Sequence, residues 1–275
     1  MKSGLLAAAL SALLTLPAAP LWAQPEAPPA AVKIKPKARL ARDADAPETS
    51  RGGGGGLIQP DVSLLDAPTS SVLDYGGYSS QTRFFAAGGL LETVSFGVFH
   101  KLNIGGSLNI DGLIGNDRTV RARAPGVQVK YRFYEGDRYI PSFSLGFDAQ
   151  GYQYSTTDKR YNQRQRGFYV VGSQELGLPG LQAHPSLNIS DFDTNAFFAS
   201  FPFSYNIRDK VLLMMEWDNV NNFRDSRINS GLRVYMTPNF HLDFGVRGIG
   251  QGGRYPDGSP RGPERIVQLR YAGNF

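Results

Sequence analysis

The sequence predicts an all-β fold: an antiparallel transmembrane β-barrel of about twelve strands behind a disordered N-terminal linker. Three observations predict it. From about Val72 onward, short segments alternate apolar and polar residues with the period of a strand. The connections between them alternate in length, short on one side and mostly long on the other. The last segment, Glu264 to Phe275, runs as a strand to the final residue. An open sheet would leave its edge exposed, and closure into a barrel pairs it.

The N-terminus reads Lys2, an apolar stretch from Leu5 to Leu16, then Pro17 and a small residue at Ala23. That order is a secretory signal peptide, assigned to residues 1–23. The stretch is shorter than the roughly 20 apolar residues of a spanning helix. Residues 24–70 are rich in Pro, Ala, Lys and Arg and include Gly52 to Gly56. Such a composition cannot bury enough apolar area to fold, so a disordered linker is expected. No Gly-Lys-Ser/Thr follows the glycines, which excludes a phosphate loop. The basic run Lys33, Lys35, Lys37, Arg39 and Arg42 either solubilises a tether or touches anionic cell-wall polymer or lipid.

Residues 71–275 carry the expected barrel. Its strands are placed near Gly76 to Ala86, Leu91 to Phe99, Leu102 to Gly112, Gly126 to Tyr134, Tyr139 to Tyr152 and Gly167 to Glu175. The remainder are near Ala183 to Ser190, Ala196 to Ile207, Val211 to Asn219, Ile228 to Met236, Phe240 to Gly250, and the terminal segment. Alternation is clearest where Val127, Val129, Tyr131 and Phe133 oppose Gln128, Lys130 and Arg132, and where Leu213, Met215 and Trp217 oppose Glu216 and Asp218. Short turns on one rim and long loops on the other demand an even strand count, with both termini on the short-turn, periplasmic side. The first, sixth and seventh strands are weakly defined, so ten or fourteen stay open.

With no cysteine there is no disulfide, catalytic thiol or lipid-anchored N-terminal Cys. The net charge of +5 is scattered rather than clustered, which argues against nucleic acid. A mean hydropathy of −0.28 is compatible with a membrane barrel, whose apolar outer and polar inner faces average out. The expected partners of such a barrel are outer-membrane lipid and lipopolysaccharide.

The segments FGVFHKLNIGGSLNIDGLIG, PGVQVKYRFYEGDRYIPSFSLGFDAQGY and WDNVNNFRDSRINSGLRVYMT resemble the YjbH-like outer-membrane barrel proteins. The hairpin with Lys130, Arg132, Glu135 and Arg138, followed by Pro141, carries most of that likeness. The resemblance implies a barrel over roughly residues 88–275 and an association with exopolysaccharide secretion, hence a polysaccharide partner, with no catalytic residues. The chain's end, with Tyr271 and Phe275, resembles the C-terminal assembly signal of bacterial outer-membrane barrels, which implies the barrel-assembly machinery as a partner. That signal usually has a bulky residue where this chain has Gly273.

No motif implies a cofactor or metal. The histidines are His100, His184 and His241. His184, Ser186 and Asn188 share one strand face, and a base beside a serine is the minimum for a nucleophile. That leaves a barrel-borne lipid hydrolase as the remotest of three readings. The leading one is a non-enzymatic pore or export accessory lined by Lys130, Arg132, Glu216, Arg233, Asp243, Arg247 and Arg270. The alternative is a structural or adhesive barrel in which Glu216, Arg233, Asp243, Arg247 and Arg270 pair across strands and fill the lumen.

Overall fold

The computed structural model describes residues 59–115, 119–163, 165–189, 197–223 and 226–275. The signal peptide and most of the expected linker lie outside them. Twelve antiparallel strands close into a barrel. They are β1 (Gly77–Phe85), β2 (Gly89–Phe99), β3 (Leu102–Asp111), β4 (Gly126–Tyr134), β5 (Ser142–Asp148) and β6 (Gly167–Glu175). The circuit continues with β7 in two pieces (Leu181–Ala183 and Ser186–Ile189), β8 (Phe198–Ile207), β9 (Val211–Asp218), β10 (Arg227–Tyr235), β11 (Phe240–Ile249) and β12 (Glu264–Asn274). The interruption in β7 is Pro185, which has no N–H to give the ladder. Register runs through it unchanged, Gln182 pairing with Ser204 and Ser186 with Ser200.

Closure comes from β12 lying antiparallel to β1, from Gly77 opposite Asn274 to Phe84 opposite Val267. This pairing leaves neither end of the sheet as an edge. The aromatic ring of Phe275 packs 4.8 Å from Tyr78 and 6.1 Å from Phe96 on the outer wall. Gly273 has its own reason: a Cβ there would lie 3.1 Å from the Tyr78 hydroxyl. The Tyr78 ring occupies the space that a bulky residue would need.

The two faces are inverted relative to a soluble protein. Phe96, Ile104, Leu145, Leu187, Leu213 and Phe244 project outward and exposed, whereas Asn103, Ser144, Asn229, Gln268 and the ion pairs of β9 to β12 are buried inside. Soluble barrels place the apolar face inward, so this is the architecture of a membrane-spanning barrel. Short turns at 100–101, 208–210 and 236–239 mark one rim, here the turn rim, and longer connections mark the loop rim. A short 3₁₀ turn, Ala86–Gly88, is the tight exception on the loop rim.

Two expected irregular regions are ordered. Residues 59–70, assigned to the linker, are folded against the barrel's inner wall, because Leu64, Leu65 and Asp66 find partners there that composition does not show. The fifth strand stops at Asp148 rather than Tyr152. Its continuation is a separate hairpin, Tyr152–Ser155 paired with Arg160–Gln163, inside what reads as a loop.

One outward position sets a carboxylate into the apolar face. Among the described strand residues, Glu92 is the one acidic side chain on the outer face, opposite Thr82 and Leu108. It accepts hydrogen bonds from Ser80 Oγ at 2.7 Å and Thr82 Oγ1 at 2.5 Å. Carboxylates on a lipid face cost less than basic residues there, but they still cost stability. Glu92→Leu is therefore expected to raise barrel stability by about 1 kcal/mol. The urea midpoint in lipid vesicles measures this, and an unchanged or lower midpoint contradicts it.

Candidate functional site: a plugged lumen

The lumen is occupied by the chain's own segment 59–74, a hairpin inserted from the turn rim. Its ends are anchored there: Gln59 Nε2 donates to Asn274 Oδ1 at 2.5 Å and Gln59 Oε1 accepts from the Asp74 amide at 2.9 Å. Ser63 and Pro68 form an antiparallel bridge, and the Leu64 amide donates to the Ala67 carbonyl at 2.9 Å. The tip is thus a tight turn over Leu64, Leu65, Asp66 and Ala67. Pro68 suits this position because it needs no ladder hydrogen bond.

Apolar contact seats the tip. Leu64 and Leu65 cluster with the inward side chains Leu212, Met214 and Ile266, and with Phe85 and Leu91. Gly231 and Gly245 make room: a Cβ at either would lie 2.9 Å from a Leu65 methyl. Burying each leucine contributes about 1.5–3 kcal/mol.

Charge holds it at two levels. Nearer the turn rim, Asp61 lies 2.5 Å from Arg233 Nη1 and accepts from the Tyr235 hydroxyl at 2.5 Å. Arg233 also donates to both oxygens of Asp243 at 2.8 and 3.0 Å, and Arg270 Nε donates to Asp243 at 2.8 Å. Arg270 reaches the plug as well, through Ser63 Oγ at 3.0 Å and the Leu64 carbonyl. Deeper in, Asp66 accepts from Arg83 Nη1 at 2.7 Å and Arg247 Nε at 2.5 Å. Arg247 also donates to Glu264 at 3.2 Å. The Glu216 carboxylate accepts the amides of Asp66 and Ala67, each at 2.9 Å, and Asn229 Nδ2 at 2.9 Å. Lys130 caps the plug's backbone, its Nζ donating to the carbonyls of Val62, Thr69 and Ser71 at 2.5, 3.2 and 3.2 Å.

From the loop rim, the Tyr152 hairpin closes over the tip. The Tyr152 ring lies 4.8 Å from the Arg83 guanidinium and 4.2 Å from that of Arg247. Its hydroxyl accepts from Arg83 at 2.5 Å, and burial pushes its pKa up to about 12. Gln163 of the same hairpin accepts from Arg247 at 2.6 Å and Arg227 at 3.0 Å. Burial alone would raise the Asp66 carboxyl, but Arg247, Arg83 and Arg227 outweigh it and hold the group well below the usual carboxylate range. A cavity of about 110 Å³ remains on one side, lined in part by Gln81, Thr93, Gln128, Asp148 and Arg166.

Six of the residues singled out as pore-lining point into the lumen and are buried: Lys130, Glu216, Arg233, Asp243, Arg247 and Arg270. Arg132 sits at the turn rim, 3.9 Å from Glu135. Sequence reasoning missed Arg83, Asp61 and Asp66. Arg83 sits in a first strand with weak alternation, and the two aspartates fall in a segment of linker composition. The oxygens of Asp66, Glu216 and Asp218 lie within 4.8 Å of one another. Arginines from several sides already answer that negative charge, so the trio is an ion-pair network rather than a cation cage.

His184, Ser186 and Asn188 also face inward. His184 Nδ1 is 2.8 Å from Ser173 Oγ and its Nε2 3.0 Å from Ser204 Oγ, while Ser186 Oγ is 2.5 Å from Ser200 Oγ. His184 and Ser186 are therefore each engaged with other hydroxyls, and neither faces lipid.

No protein-family model and no curated protein matches the chain. It is similar to solved structures of the KdgM porin (10% identity, TM-score 0.47, 71% of this chain and 98% of that one) and the NanC porin (11%, 0.44, 72% and 99%). Another is the outer-membrane channel DcaP of Acinetobacter baumannii (8%, 0.26, 72% and 96%). At these identities and scores the likeness says nothing of what this chain does.

The plug should respond to loss of either of its anchors. Leu65→Ala is expected to weaken docking by about 2–5 kcal/mol, read as faster amide hydrogen exchange over residues 62–69. Protection unchanged from the parent contradicts it. The depressed Asp66 pKa means that its contribution is complete above the ordinary value near 3.8 and is lost as pH falls through the lower docked value. Exchange protection, corrected for intrinsic rates, should therefore be lower in Asp66→Asn than in the parent at pH 7 and at pH 5 alike. A difference between the two that disappears at pH 5 would count against this assignment.

Proposed function

We propose that the protein is a non-enzymatic channel of the bacterial outer membrane whose resting state is closed by its own plug. The observation that carries this is the content of the lumen. Twelve strands enclose more space than side chains fill, and larger barrels hold water or a plug. Here a hairpin separate in sequence from the barrel wall fills it, held by leucine burial and reversible ion pairs. A purely structural barrel needs no removable filler. The Arg233–Asp243–Arg270 and Arg247–Glu264 pairs do link neighbouring strands, so the wall is braced whether or not the plug is in place.

The outer-membrane assignment is supported by the apolar outer belt and by complete closure of the sheet, since a spanning strand must have every backbone group paired. The turn rim then faces the periplasm, lipopolysaccharide meets the loop rim, and Tyr271 with Phe275 serves the barrel-assembly machinery. Likeness of the Lys130 to Pro141 hairpin to YjbH-like proteins favours export of an envelope polysaccharide as the cargo pathway. The hydrolase reading lacks support, because Ser186 and His184 are bonded to other hydroxyls inside the barrel.

Planar-bilayer recording tests the channel. The full chain should be closed for most of the record, and removal of residues 60–74 should give steady conductance. Leu65→Asp should give intermittent opening. A deletion variant that inserts, resists urea like its parent and remains silent would sink the channel.

A further inference from the structure

The two carboxylates of the plug complete the charge balance of the lumen. Among the described residues, Arg233 and Arg270 face one wall carboxylate, Asp243, at the level of Asp61. At the level of Asp66, Arg83, Arg166, Arg227 and Arg247 face Glu216, Asp218 and Glu264. Lys130 and Asp148 add one charge of each sign, so with every group in its ordinary charge state the two levels together carry two excess positive charges without the plug and none with it. Lys130 loses three carbonyl acceptors at the same moment. The two levels are four residues apart along β11, from Asp243 to Arg247, or about 13 Å.

From this balance we propose that the plug is a tethered stand-in for the ligand, and that its berth is a binding track for a linear polyanion. The ligand is an oligomer carrying carboxylates about 13 Å apart, the spacing of the two levels along an extended strand. A small anion reaches only one level, whereas an oligomer engages both and gains from the second contact being intramolecular. Ligand and plug compete for Arg83, Arg233 and Arg247, so by linkage the ligand promotes plug release and the plug weakens the ligand. The anchor in the Leu64–Leu65 pocket is independent of charge. It keeps the lumen closed against ordinary salt and small anions.

This inference rests on the closed-channel reading, and its test uses a different readout. The chain has no cysteine, so Ala67→Cys places a single thiol at the buried tip. Its reaction with a polar maleimide in vesicles reports plug release. Hexaglutamate should accelerate labelling at a concentration at least tenfold below that needed for citrate, and hexaglutamine should have no effect. Adding Asp66→Asn should lower the half-effective hexaglutamate concentration about tenfold, the loss of one charge-assisted contact from the competitor. With Arg83→Gln and Arg247→Gln the response should vanish. Hydrogen exchange over residues 62–69 of the parent chain repeats the measurement without the cysteine.

No acceleration by hexaglutamate, or equal acceleration by hexaglutamine, overturns the polyanion track. If labelling responds while the chain lacking residues 60–74 stays silent in bilayers, the track stands and the channel falls. If the deletion conducts and labelling is indifferent to anions, the channel stands and the track falls.

Discussion

Twelve strands close around more volume than their inward side chains can fill, and the rest of the structure follows from how that space is occupied. The inner wall of β9 to β12 is crowded with Glu216, Arg233, Asp243, Arg247, Glu264 and Arg270, all buried. Buried charge is costly unless it is paired and hydrogen-bonded on every side. Cross-strand partners satisfy part of it. The remainder is satisfied by a segment that belongs to no strand, through Asp61, Asp66 and a row of backbone carbonyls. The plug is therefore part of the electrostatic balance of the wall as well as an obstacle within it.

Shape and charge do separate jobs in that berth. The small inward residues Gly231 and Gly245, beside Leu212, Met214 and Ile266, form a dent that Leu65 fills. Apolar burial is insensitive to salt, whereas the ion pairs at Asp61 and Asp66 depend on the charge of what replaces them. A segment held by both can be firm against ordinary conditions and still be responsive to a competing anion. The Tyr152 hairpin covers the same arginines from the loop rim, so the deeper level is closed from two directions.

The outer wall answers to a different solvent. Mostly apolar side chains face outward around the circuit, and the Glu92 carboxylate among them is softened by Ser80 and Thr82, which donate to it. The join between β1 and β12 is finished by Tyr78, Tyr271 and Phe275 stacking across it. Gly273 belongs to the same packing, since the ring of Tyr78 needs its surface.

Alternation by itself determined the strands, because each residue of a strand faces either lipid or lumen and the two demand different chemistry. β4 and β6 have the boundaries read from the sequence, and the turns favoured twelve strands while ten and fourteen stayed open until closure of the sheet gave twelve. Inward placement of Lys130, Glu216, Arg233, Asp243, Arg247 and Arg270 was legible for the same reason. What fills the lumen was not. Residues 59–70 fall in the segment read as a linker, and nothing local marks Asp61 or Asp66 as partners of arginines more than 150 residues away in the chain. The berth is made by Gly231, Gly245 and Ile266 meeting across three strands, and Arg83 completes it from a fourth. Only closure of the barrel brings these residues to one place, so only the tertiary structure decided that the lumen is shut and by what.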